Sequence, residues 1–180
     1  MFNFKNHILN LRFLLALFCV GLMLSGFSQL PKAWMGQYAG ELSSINIQGE
    51  ESTYAMELII EVENDSAYAF TIIYGKDSLK QVRAYTLRQI GENRFMLDEN
   101  NGIFLNMNLI GDRLFSVFEV EGNFLHLCYR KTKKGIDFEL TSSRKAEISG
   151  GITHEDGEAI PAVQSYSVLA YQSAHLNRKK

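Results

Sequence analysis

This chain of 180 residues holds two cysteines and one tryptophan. Cys19 lies in an apolar stretch near the N-terminus, so removal of that stretch would leave Cys128 alone and exclude an intramolecular disulfide. The core must then hold itself together, and the roughly 150 remaining residues are enough for one domain to do so. No later segment carries a helical stripe, which removes the crossover helices that parallel neighbouring strands need. Basic blocks are missing from the strand-rich middle, and only Arg178-Lys179-Lys180 is locally basic, so nothing here addresses nucleic acid. Loss of Lys5 and Arg12 with the N-terminal stretch takes 18 basic residues to 16 against 20 acidic, moving the formal net charge from −2 to −4. No catalytic motif rises above background.

What the chain does have is alternation. Thr53 to Glu63 sets Tyr54, Met56, Leu58, Ile60 and Val62 against Glu57, Glu61 and Glu63, a period of two. Similar stretches run over 34–42, 68–74, 81–88, 94–97, 103–110, 113–120, 124–130 and 136–140. Glycines at 75, 91, 102, 111, 122 and 135 punctuate them at the turn spacing of an all-β sandwich or barrel. Gly36 and Gly40 suggest a bulge or sharp bend in the first strand. Asn100-Asn101-Gly102 has the composition of a tight primed hairpin turn with consecutive positive φ angles. Short loops make sequential strands antiparallel, and a meander of this length removes its open edges by closing. The expectation is an all-β, antiparallel up-and-down barrel of about nine or ten strands. Residues 29–143 form that barrel and 144–180 form a polar segment, in which 163–172 supplies a final strand or a closing flap.

The first 28 residues read as an address. Lys5, His7 and Arg12 form a basic head, Phe13 to Leu24 an apolar core shorter than a membrane-spanning helix needs, and Ser25-Gly26-Phe27-Ser28 a small-residue cleavage context. Residues 1–28 are therefore expected to be a signal peptide, with the mature protein starting near Gln29 in the periplasm or outside the cell.

Trp34-Met35-Gly36-Gln37-Tyr38-Ala39-Gly40, followed by a strand meander behind a signal peptide, resembles the lipocalin and calycin group of small-ligand barrels. Trp34 precedes Gly36 here, the reverse of that group's usual order of glycine, any residue, tryptophan. Arg83-x-Tyr85, Asp98-Glu99-x-Asn101-Gly102, Phe118-Glu119-Val120 and the Ser28-Gln29 junction are similar to secreted Bacteroidetes-type barrel proteins with no assigned activity. The resemblance implies a barrel with a lumen and an exported compartment, and leaves the ligand open.

Arg83 and Tyr85 share a face of one strand, and barrels of the fatty-acid-binding type hold a carboxylate with an inward Arg and Tyr. The plain alternative is an arginine on a solvated face. Met56, Leu58, Phe70, Ile72 and Tyr74 are the candidate apolar lining; filling a core is the default use of such residues. His126 and Cys128 share a face but lack the further ligands of a metal site, and read as a buried thiol beside a hydrogen-bonded histidine. Ser116, His126 and either Glu119 or Asp137 form the sort of trio any β-rich chain yields by chance. Asp98 and Glu99, adjacent on a strand, point to opposite faces and serve the turn. His154 and His175 carry no supporting ligand pattern.

No catalytic residue, metal site or cofactor is therefore expected. Three readings stand: an exported binding barrel for a small hydrophobic or amphiphilic ligand, a structural or protein-interaction domain with a filled lumen, and an outer-membrane barrel with the alternation turned inside out. The third is disfavoured by the terminal Asn177-Arg178-Lys179-Lys180, because a membrane barrel's last strand normally ends in an aromatic.

Overall fold

The computed structural model describes residues 29–146, 153–155, 158–160 and 163–180; the segment read as a signal peptide lies outside them. The strands are β1 (Gly36–Asn46), β2 (Glu51–Asn64), β3 (Ala67–Tyr74), β4 (Gln81–Gly91), β5 (Arg94–Asp98), β6 (Phe104–Ile110), β7 (Arg113–Val120), β8 (Asn123–Lys131), β9 (Gly135–Lys145), β10 (Thr153–Glu155), β11 (Glu158–Ile160) and β12 (Tyr166–Arg178). β1 to β9 pair in sequence, and β12 lies between β9 and β1, closing an antiparallel up-and-down barrel of ten strands. β10 and β11 make a separate two-stranded ribbon. The strand expected over 163–172 is the closing strand and runs on to Arg178.

The alternation resolves into an apolar inside and a polar outside. Tyr38, Met56, Leu58, Ile60, Phe70, Leu87, Phe95, Met107, Leu114, Ile136 and Leu176 are all buried in one core. The intervening positions carry the ion pairs of the outer wall: Arg88 with Asp98, Arg130 with Asp137, and Glu57 with Lys179. A lipid-facing barrel needs the opposite arrangement, so the inside-out geometry is not the one this sequence adopts.

β12 is wedged tightly between its neighbours. A Cβ at Gly40 of β1 would stand 2.3 Å from the His175 carbonyl oxygen, and one at Gly135 of β9 would stand 1.9 Å from that of Leu176. Gly40 thus marks a close backbone approach.

One turn departs from expectation. Asn100 and Gly102 do take positive φ, 59° and 94°, but the positive angles are not consecutive, because Asn101 is not among the left-handed residues. The Asp98 carboxylate accepts from Asn100 N (2.8 Å) and the Asn101 side chain from Ile103 N (2.9 Å). These two local side-chain bonds favour a wider loop over 99–103 in place of a two-residue turn. Consecutive positive φ occurs instead at Glu121 (51°) and Gly122 (74°), between β7 and β8.

Candidate ligand-binding site

The two ends of the barrel differ. Before β1, a single 3-10 turn (Lys32–Trp34) folds Trp34 and Leu30 into the core at the end where β1 starts and β12 finishes. The Tyr38 hydroxyl donates to the Trp34 carbonyl at 2.9 Å, and the Leu30 amide donates to the Tyr68 hydroxyl at 3.0 Å. The plug is thereby tied to β1 and β3 by satisfied buried polar groups.

The opposite end holds a cavity of about 790 Å³. Leu42, Ala55, Leu79 and Leu140 are the aliphatic part of its lining; Thr53, Tyr54, Tyr74, Gln81, Arg83 and Gln172 surround them, with the segment around Gly75 to Leu79 as one lip. Strand register explains the set. Tyr74 pairs with both Met56 and Gln81, and Arg83 pairs with Ile72, so Arg83 lies on the lumenal face of β4 where that strand enters from the open end. Gln172 pairs with Leu140, which pairs with Leu127.

Arg83 is the charged group of this wall. Its guanidinium stands 5.6 Å from the centre of the Tyr74 ring, a cation–π arrangement. Hydrogen bonding by the Tyr85 side chain, set against a smaller desolvation cost, raises its pKa and keeps it a fixed cation. Burial raises Tyr74, partly offset by Arg83, and burial holds Tyr129 well above the ordinary phenol range. Tyr129 packs between Phe70 and Phe138, its ring centre 5.3 Å from each. Tyr74, Tyr85, Tyr129 and Arg83 thus come together on the lumenal side.

Of the residues singled out in the sequence, Arg83 and Tyr74 line the cavity. Tyr85, half-buried, packs against the core beside Arg83. Met56, Leu58, Phe70 and Ile72 face the lumen but are enclosed in the packed core rather than lining the cavity. Leu42, Tyr54, Leu140 and Gln172 are lining that sequence reasoning did not single out. The first two lie on the same alternating face as their neighbours, which was the available signal; Leu140 and Gln172 join them only through the closure of β12 against β9.

The other chemical candidates separate. Ser116 is buried inside, opposite Leu127, whereas His126 is exposed on the outer wall, stacked on Phe115 at 5.9 Å between ring centres. Stacking takes the place of the hydrogen bond expected for His126. Cys128 is buried on the same outer side; burial first, then the Glu139 carboxylate, raises its thiol pKa. Asp98 and Glu99 bond to Asn100 and Asn101 of their own loop. His175 reaches Asp137, which also accepts from Arg130. His154 lies on β10. The Ser116 hydroxyl is the one buried side-chain polar atom without a partner among the described residues.

No family model and no curated protein matches this chain. Among solved structures, a protein of unknown function from the DUF3598 family of Nostoc punctiforme PCC 73102 superposes with a TM-score of 0.56 at 10% identity, over 87% of this chain and 54% of that one. This chain thus spans about half the length of that relative. An S-type phycobiliprotein lyase from Guillardia theta superposes with a TM-score of 0.52 at 11% identity, over 83% of this chain and 90% of that one. At such identities the likeness is one of fold, and the fold is a closed antiparallel β-barrel.

Proposed function

We propose that this protein is an exported, non-catalytic binding barrel that takes a small amphiphilic molecule through its open end. The observation that carries the reading is the cavity of about 790 Å³ with Leu42 and Leu140 in its lining and Arg83 on its wall. The volume lies in the range of small-ligand sites. An apolar body rests on the leucines and Tyr54, each buried methylene adding about 0.8 kcal/mol. An anionic head meets the Arg83 guanidinium, whose planar fork suits a carboxylate bidentately, with Tyr74 and Tyr85 beside it. That a barrel of this build occurs in a phycobiliprotein lyase supports a working interior, although 11% identity carries no chemistry across. Export rests on the basic head, apolar core and Ser28-Gln29 junction.

The packed core formed by Met56, Leu58, Phe70 and Ile72 favours one competing reading, a structural or protein-interaction domain whose interior is filled by its own side chains. Native mass spectrometry of protein purified from its host, with titration of a fluorescent fatty-acid probe, separates the two. A retained small molecule or a blue-shifted probe supports the binding barrel; a clean apo mass with no shift leaves the filled domain. The same spectrum reads the N-terminus, expected near Gln29.

A further inference from the structure

The cavity of about 790 Å³ is lopsided. Its lining comes from β1, β2, β3, β4, β9 and β12 with the turn after β3, and no residue of β5 to β8 takes part. Strand length accounts for this: β1, β2, β9 and β12 run for 11 to 14 residues and β5 to β8 for 5 to 9, so the wall stands higher on one side. On the short side Leu105 and Phe118 pack against the core instead. Along the lining side β4 and β12 are separated by β3, β2 and β1, against five strands the other way round the ring. The polar groups of the cavity therefore stand on nearly opposite walls, Arg83 on β4 and Gln172 on β12, with Tyr54 and Leu42 between them. Strands about 4.8 Å apart set those walls roughly 15–20 Å from each other at the backbone.

We propose that Gln172 is the second polar anchor of this site, and that it selects guests carrying, besides the anionic head, a neutral hydroxyl or carbonyl group at the far end of an apolar body. The inference rests on the binding-barrel reading and sharpens its ligand. Gln172 is half-buried on the lumenal face of β12, the face that carries Ala174 and Leu176 into the core. Its ladder partners are Leu140 on β9 and Ser44 on β1. Among the described residues its side-chain amide makes no hydrogen bond, so both its donor and its acceptor are available. A plain alkyl tail lying on Leu140 and Leu42 would cover this amide and leave it unpaired, at a cost; a hydroxyl or carbonyl pairs it. Such a site discriminates against the analogue that lacks the polar group, because the protein's own group is then the one left unsatisfied. Arg83 does not serve that far group, being held over the Tyr74 ring at 5.6 Å and bonded by Tyr85. Gln81 stands two residues from Arg83 on β4 and belongs to the head-group end. The far group is neutral because β1, β12 and β9 contribute only Leu42, Gln172 and Leu140 to the lining, with no charge to meet a second ion.

The test is displacement of a bound fluorescent fatty-acid probe by decanoate and by ω-hydroxydecanoate, whose length suits the gap that the two side chains leave between the walls. Wild type should hold the hydroxy acid roughly threefold to tenfold more tightly than decanoate, the worth of one hydrogen bond. Gln172→Leu should remove that preference and tighten decanoate. Arg83→Ala should weaken both acids alike and keep the wild-type ratio, which separates the two ends of the guest. Denaturant midpoints within the wild-type range verify that both variants are folded. Equal affinity of wild type for the two acids, or a preference that Gln172→Leu leaves intact, overturns the inference while the binding barrel stands. Should neither the probe nor either acid bind, the binding-barrel reading itself falls and takes the role of Gln172 with it.

Discussion

The plugged end and the open end are built from the same ten strands, yet they spend their side chains differently. At one end Trp34, Leu30, Tyr38 and Tyr68 pack together and satisfy each other's polar groups; at the other Leu42 and Leu140 line open space. Stability should therefore concentrate below and ligand chemistry above. The difference teaches that a closed β-barrel need not be hollow throughout, because depth of packing is set level by level by side-chain volume.

The sharpest break of that comparison is Trp34→Ala, expected to cost about 3–5 kcal/mol in a denaturant titration, against Leu79→Ala, expected to stay within about 0.5 kcal/mol. Equal costs would show that the ends are not specialised. Gly135→Ala should follow at about 1–3 kcal/mol, since its methyl group meets the β12 backbone. In the upper half, Arg83→Ala should weaken binding of a long-chain carboxylate by roughly tenfold, about the worth of one hydrogen bond to a charged group, and leave its methyl ester nearly unchanged. Equal losses for acid and ester would exclude the head-group role. Smallest is the acid limb of stability. Burial raises the Asp137 pKa, but hydrogen bonds from Arg130 and His175 outweigh it and hold the carboxyl below its ordinary value. Asp137 thus stabilises the fold above the ordinary carboxylate range, and that contribution fades as pH falls through the lowered native value. Asp137→Asn should flatten the midpoint-against-pH curve there; an unaltered curve would exclude the linkage.

The barrel was legible in the sequence because a period of two leaves no other way to bury Met56, Leu58 and Ile60 while exposing Glu57 and Glu61. The same parity put Arg83 and Tyr85 on one face, and register then put that face inside. The cavity's depth was not legible. Whether Phe70 and Ile72 line space or fill it depends on what stands across the lumen, here Tyr129 and Phe138, more than fifty residues downstream. Leu140 and Gln172 become neighbours only through the β9–β12 ladder, whose partners are separated by a stretch with no strong alternation. The Asn100-Asn101-Gly102 turn was misjudged because Asp98 and Asn101 compete for local amides, a contest that composition alone does not decide.

The position of β12 has a consequence for how the molecule comes into being. β12 is the last of the ten barrel strands along the chain, so until Tyr166 and its successors pair, β1 and β9 keep unpaired margins. Every route to the native state must then bridge β1 and β12 across more than a hundred intervening residues, a distant pairing of the kind that makes assembly slow. During that interval the unfinished sheet offers two templates to any neighbouring chain. Gly40 and Gly135, which leave room for the β12 backbone, thus stand at the two seams that this last pairing has to close.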